Sequence, residues 1–198
     1  MATYTYSDAE SNTSHAYLLP SVLDILSGQA GRRIFEIGCG NGAIARELES
    51  RGFEVTGVDP SESGIAHAAH PRLRVGSAYD DLAAQYGRFP VVLSLEVVEH
   101  CYEPRAFART LHDLCEPGAL AIVSTPFHGY WKNLALSVSG RMDDHFTALW
   151  DGGHIKFWSE RTLGALLTEA GFPQVEFRRV GRVKALAKSM IAVARKPR

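Results

Sequence analysis

Three glycines spaced by single residues, Gly38-Cys39-Gly40-Asn41-Gly42, separate a short apolar run from a helical pattern. No other feature constrains the fold of this chain as strongly. Glycine allows positive φ and lets a ligand approach the backbone closely. A helix that starts there offers unpaired N–H groups in its first turn. Residues 33–37 read as the strand before the loop. Residues 41–51 read as the helix after it, with Gly52 as its stop. Such a strand–glycine turn–helix unit opens an α/β sheet that binds a nucleotide-like ligand.

The alternation continues along the chain. Residues 54–59, 73–76, 90–95, 119–124, 175–180 and 190–194 read as strands. Residues 62–69, 105–115 and 159–170 read as helices, the last capped by Ser159 and stopped by Gly171. Residues 15–26 read as an amphipathic helix, interrupted or started around Pro20 and closed by residues 28–31. The expected fold is α/β: a Rossmann-like, doubly wound parallel sheet of seven strands. It forms a single domain over residues 1–198, with residues 1–30 as an N-terminal cap segment. The loops after residues 37, 59, 76, 95 and 124 should converge at the carboxyl ends of the strands. Residues 126–157 are too long for a plain connection and are rich in glycine, histidine and aromatics. They are expected to form a helical, aromatic lid over the strand ends.

Composition narrows the partners. The net charge of the 198 residues is -1, so no global field draws in nucleic acid or an anionic membrane. Lysine and arginine gather only in residues 178–198. Such a stretch can meet RNA or a membrane, but it reads here as solvated surface. A small-molecule acceptor is expected rather than nucleic acid. Cys39, Cys101 and Cys115 form neither a disulfide framework nor a metal knuckle, which fits a reducing, cytoplasmic compartment. No apolar run approaches ~20 residues, so no membrane span is expected. The polar N-terminal stretch lacks the features of a secretory signal.

The glycine loop alone leaves two cofactors open, because Gly38 to Ala43 also satisfies the dinucleotide pattern G-x-G-x-x-A. Three features favour the other reading. Glu36 stands where dinucleotide sites carry an apolar residue, and Gly42 gives the spacing G-x-G-x-G. The chain is also short for a dinucleotide domain plus a substrate domain. Asp59 ends the second predicted strand, where a carboxylate can accept ribose hydroxyls. ExGCGxG followed by such an aspartate resembles the class I S-adenosylmethionine (SAM) dependent methyltransferases, from about residue 30 to residue 194. The resemblance implies that Glu36, Gly38, Cys39 and Gly40 border the methionine part of SAM. By the same likeness Asp59 holds the ribose and Pro60 borders the adenine. Ser77 and Ala78 stand at the adenine edge, where related chains often carry aspartate first. Leu95 meets the methionine amino group through its backbone.

Glu96, Glu99 and His100 follow the fourth predicted strand. On a helical turn they would share a face, a half-site for a divalent cation that His154 could complete. The alternative is that Glu99 and His100 stabilise the loop or orient substrate without metal. The E-x-x-E-H pattern with a distant histidine, followed by Lys156-Phe157-Trp158-Ser159, is similar to two metal-dependent groups. One is the ubiquinone-pathway O-methyltransferases, which act on catechols. The other is the small-RNA terminal 2′-O-methyltransferases. The likeness implies a divalent cation and an acceptor with adjacent hydroxyls, and the mixed oxygen and nitrogen ligands leave magnesium, manganese and zinc open. Without metal, His100 and His154 are the candidate proton acceptors. His15, His128 and His145 read as exposed residues of covering segments, and His67, His70 and His112 as solvated. Four functions stay open on the residues: methyl transfer to a small-molecule hydroxyl, RNA ribose 2′-O-methylation, metal-free N- or C-methylation, and non-catalytic SAM binding. The lack of an added RNA-binding domain weighs against the second, and the intact glycine loop against the last.

Overall fold

The computed structural model describes residues 5–8, 13–29, 32–146 and 148–198. The rest of the expected cap segment, Gly31 of the expected helix stop and Thr147 of the expected lid lie outside the described residues.

Helix α1 (Thr13–Ser27) precedes β1 (Arg33–Ile37), α2 (Ala43–Glu49), β2 (Glu54–Asp59), α3 (Glu62–Ala68) and β3 (Leu73–Val75). Then come α4 (Leu82–Tyr86), β4 (Phe89–Leu95), a 3₁₀ turn at Val98–His100, α5 (Pro104–Leu114) and β5 (Cys115–Pro126). Helices α6 (Tyr130–Val138) and α7 (Met142–Phe146) occupy the expected lid. They are followed by α8 (Glu160–Glu169), β6 (Val175–Val180), a 3₁₀ turn at Lys184–Leu186 and β7 (Ser189–Arg195). The seven-stranded sheet runs β3-β2-β1-β4-β5-β7-β6.

Period-two burial explains the layers. On β4, Val91, Leu93 and Leu95 face the core shared with α1 and α2, whereas Val92 faces the opposite core. On β5, Leu120 and Ile122 alternate with Ala121 and Val123 in the same way. Central strands buried on both faces read as continuous apolar runs, as PVVLSL and ALAIVS do. One core is closed by Leu18, Val22, Ile44 and Leu48, the other by Phe107, Leu111, Leu163 and Leu167. Ser159 and Thr162 form a reciprocal capping box that starts α8.

The sheet departs from the all-parallel expectation at one edge. β7 inserts between β5 and β6 and runs antiparallel to both. The short 181–188 connection contains no crossover helix, and a parallel pairing of consecutive strands requires one. Pro20 lies inside α1 rather than breaking it. Strand order reverses between β1 and β4, so a crevice opens at their carboxyl ends.

Candidate active site

A cavity of about 610 Å³ occupies that crevice. Its walls come from the β1–α2 loop, the ends of β2 and β4, residues 77–79, part of α1 and the lid. Four of the five expected loops converge there. The loop after residue 124 contributes through the lid that follows it. Glu36, Gly38, Cys39, Gly40, Asp59, Pro60, Ser77, Ala78 and Leu95 all line this one cavity.

The glycine loop is built by its own backbone. Gly38, Gly40 and Gly42 have φ of 81°, 51° and 73°. The Gly38 and Cys39 N–H groups donate to the Val58 carbonyl at 2.8 and 3.1 Å, which locks the loop to β2. A Cβ on Gly38 would collide with Val97, and one on Gly40 with Tyr6. Asp59 accepts from the Gly40 N–H through Oδ2 and from the Ser61 N–H through Oδ1, both at 2.8 Å. Each oxygen keeps a lone pair, so ribose hydroxyls can still donate to it. Burial raises the Asp59 carboxyl, and these two N–H bonds act against that rise.

Glu36 is buried, and its Oε2 has no partner among the described residues. Burial first, then the nearby Asp59 charge, pushes it up to about 8. A cationic ligand group in the cavity would meet an acceptor with nothing else to bind. Burial, Glu36 and Asp59 drive the Cys39 thiol far above its usual value, which leaves it inert as a nucleophile. The Ser77 hydroxyl accepts from the Tyr79 N–H at 3.2 Å, and its own proton is free to donate at the rim.

The second half of the site is a staple between the 98–100 turn and residues 152–158. The Glu99 carbonyl accepts from Ile155 and Lys156 N–H at 2.9 and 3.0 Å. Trp158 Nε1 donates to the Val98 carbonyl at 3.3 Å. His100 Nδ1 sits 2.9 Å from the Gly152 carbonyl and 3.1 Å from that of Gly153. Carbonyls only accept, so Nδ1 carries a proton and Nε2 is the ring nitrogen turned away from these bonds. The staple sets His154 Nε2 4.0 Å from Glu99 Oε1, with the His100 and His154 ring centroids 4.9 Å apart.

Glu99, His100 and His154 can present ligand atoms within 4.8 Å of one another. Glu99 is 1% exposed, and neither of its oxygens has a hydrogen-bond partner among the described residues, the 4.0 Å approach of His154 being too long for one. Burial, then the Glu96 charge, raises its carboxyl well above the ordinary range. Burial, then His100, lowers His154 to about 4, so this ring is neutral at physiological pH. A buried carboxylate that lacks hydrogen-bond donors, beside two imidazoles, is costly on its own and fits a cation.

Glu96 is not brought into this group. Its φ is 55°, off the helical turn that would have aligned it with Glu99 and His100. Ser124 and Ser189 hydroxyls donate to its two oxygens at 2.8 and 3.2 Å. The Tyr17 hydroxyl, 3.1 Å from Ser189 Oγ, extends the chain to α1. Burial raises Glu96 to about 7. Sequence reasoning missed Tyr17, Ser124 and Ser189 because single hydroxyls on three separate elements carry no motif.

The lid divides its aromatics. Phe146 and Trp150 line the cavity, whereas Phe127 and Trp158 are buried in the core. Tyr130 and Trp131 face outward and wall nothing. His128 is buried rather than exposed, 5.2 Å between centroids from His145 and 5.0 Å from Phe157. His15 lines the cavity. His70 pairs with Glu49 at 2.8 Å and His112 packs on Phe172, so only His67 of the three expected solvated histidines is exposed.

The methyltransferase domain family matches residues 12–176. The chain is 42% identical over 118 residues to a ubiquinone biosynthesis O-methyltransferase of Caulobacter sp. (strain K31), covering 56% of this chain and 46% of that protein. It is 33% identical over 159 residues to the protein of that name from Ruegeria pomeroyi, covering 74% of this chain and 62% of the relative. The chain thus spans about half the length of the first of these relatives. Magnesium protoporphyrin IX methyltransferase from Synechocystis PCC 6803, solved with bound S-adenosylhomocysteine, shares the fold with a TM-score of 0.68 at 20% identity, over 96% of this chain and 90% of its own. With the glycine loop, the β2 aspartate and the strand order, the domain-family match over residues 12–176 places the chain in the class I SAM-dependent methyltransferase family.

Proposed function

We propose that the chain transfers a methyl group from SAM to a hydroxyl oxygen of a small-molecule acceptor, with a divalent cation held by Glu99, His100 and His154. Residues 1–198 act as one domain, closed by the 126–157 lid. The observation that carries this reading is the buried Glu99 carboxyl, without a hydrogen bond among the described residues, beside His100 and His154, which line the cofactor cavity. The names of the relatives support oxygen as the methylated atom.

The cavity fits the cofactor. Bare glycine backbone forms one wall, Glu36 offers an unused acceptor, and Asp59, held by the Gly40 and Ser61 N–H groups, would meet the ribose hydroxyls. Pro60, Ser77 and Ala78 would border the adenine, and Leu95 the methionine end. When bound, SAM supplies the sulfonium methyl, and a cation supplies polarisation that lowers the pKa of a coordinated hydroxyl. The chain's own residues orient and shield the acceptor. His100 is locked in one tautomer by Gly152. Without a cation, His154, uncharged near neutrality, would instead take the acceptor proton on its lone-pair nitrogen. Phe146 and Trp150 offer a flat apolar wall and limit water entry. Glu96 enters as a possible fourth ligand only by leaving Ser124 and Ser189.

Calorimetry with S-adenosylhomocysteine, followed by titration with manganese, tests both halves. Binding of the first and Glu99-dependent binding of the second is the expected result. Tighter binding of NAD than of S-adenosylhomocysteine would reject the assignment.

A further inference from the structure

The glycine loop is met from outside by chain that precedes α1. Residues 5–8 are tied down at two points. The Tyr6 N–H donates to Ser63 Oγ at 3.0 Å, and Asn41 Nδ2 donates to the Asp8 carbonyl at 3.0 Å. Ser63 Oγ lies 3.1 Å from Ser61 Oγ, and the Ser61 side chain caps α3. This strap therefore joins the β1–α2 loop to the start of α3. It precedes the stretch that matches the methyltransferase domain family, which begins at residue 12.

Two glycines make room for Tyr6. A Cβ on Gly40 would stand 2.4 Å from the Tyr6 hydroxyl oxygen, and one on Gly64 would stand 2.9 Å from the Tyr6 ring and 3.0 Å from the Gly40 carbonyl. Gly40 has a positive φ that favours glycine in any case, but Gly64 does not. It lies inside α3, where alanine would make the better helix. Close approach of the Tyr6 ring and the Gly40 backbone accounts for glycine at that position. Thr5, Ser7 and Asp8 are exposed, whereas Tyr6 is half-buried and lines the same cavity as Gly38, Gly40 and Asp59. Its hydroxyl rests on Gly40, whose N–H is bound to Asp59.

We propose that Tyr6 is a cofactor-binding residue: its ring closes over the methionine end of SAM, and its hydroxyl donates to the methionine carboxylate. That carboxylate is the anionic group of the cofactor, and it enters a cavity that Glu36, Asp59 and Glu96 also line. Carboxylates only accept when ionised, so a neutral phenol supplies a donor that these walls lack. The cofactor then enters and leaves as residues 5–8 lift from Ser63 and Asn41. The clamp rests on this cavity being the cofactor site, and it does not depend on the metal or on which atom is methylated.

Calorimetry with two ligands tests it: S-adenosylhomocysteine, and 5′-methylthioadenosine, which keeps adenine and ribose but lacks the amino acid. Tyr6→Phe should weaken S-adenosylhomocysteine about tenfold, the loss of one hydrogen bond to a charged group, and leave 5′-methylthioadenosine unchanged. Tyr6→Ala should weaken S-adenosylhomocysteine further and speed its dissociation. Ser63→Ala, outside the cavity, should weaken it through the strap and add nothing to Tyr6→Ala in the double variant. Equal loss for both ligands in Tyr6→Phe would make Tyr6 a brace for the glycine loop and overturn the proposal. So would unchanged S-adenosylhomocysteine affinity in Tyr6→Ala. A parent chain that binds neither ligand would overturn the cofactor site itself, and the clamp with it.

Discussion

His154 Nε2 stands 4.0 Å from Glu99 Oε1, brought there by the Ile155 and Lys156 N–H groups that donate to the carbonyl of Glu99 itself. The backbone of one candidate ligand thus positions the side chain of the other. His154→Ala should lower manganese affinity roughly 10–100-fold, the range for losing a ligand or its support. Binding of S-adenosylhomocysteine should stay nearly unchanged, because His154 lies outside the glycine loop. Calorimetry with each ligand separates the two effects, and a parallel loss of both would mean that the lid has collapsed.

Asp59 joins the end of β2 to the glycine loop through Gly40 and Ser61. Asp59→Ala removes a buried acceptor and leaves two N–H groups unpaired. SAM binding should weaken by about 1–3 kcal/mol. Unchanged affinity by calorimetry would remove Asp59 from the cofactor site.

Glu36 makes stability depend on pH. Its folded value of about 8 lies above the ordinary 4.5, so the folded chain holds a proton that the unfolded chain has released between those values. Stability therefore falls as pH rises through that window, by on the order of 1 kcal/mol per unit. Glu36→Gln should lose this slope. Urea unfolding at pH 5 and pH 8 should show the variant gaining on the parent at the higher pH. An identical slope in both would place the Glu36 proton elsewhere.

The glycine loop, the β2 aspartate and the order of elements were legible because each depends on local backbone chemistry. Gly38, Gly40 and Gly42 need positive φ, and Asp59 needs only to end its strand. Three features were not legible, because tertiary context sets them. The direction of β7 depends on its slot between β5 and β6. The parting of Glu96 from Glu99 depends on one dihedral at Glu96 and on Ser124 and Ser189 from other strands. The aromatic run of the lid reads alike whether its rings face the cavity, as Trp150 does, or the outside, as Trp131 does.

The lid holds to the sheet mainly at its two ends, through Phe127–Trp158 and the staple at residues 98–100, while α6 and α7 bury no residue. Segments with few buried contacts open first. Hydrogen exchange of the described residues within 129–146 should be faster than in β4 and should slow when cofactor and acceptor are both present. Equal exchange with and without ligands would make this stretch a packed connection rather than a lid.

Transfer of labelled methyl from SAM to a catechol, followed with and without a chelator, tests the central claim most directly. The label should appear on oxygen, vanish from the product with chelator, and return with added magnesium, manganese or zinc. Transfer indifferent to chelator would contradict a metal-assisted site at Glu99, His100 and His154, and with it the inference that the acceptor carries adjacent hydroxyls.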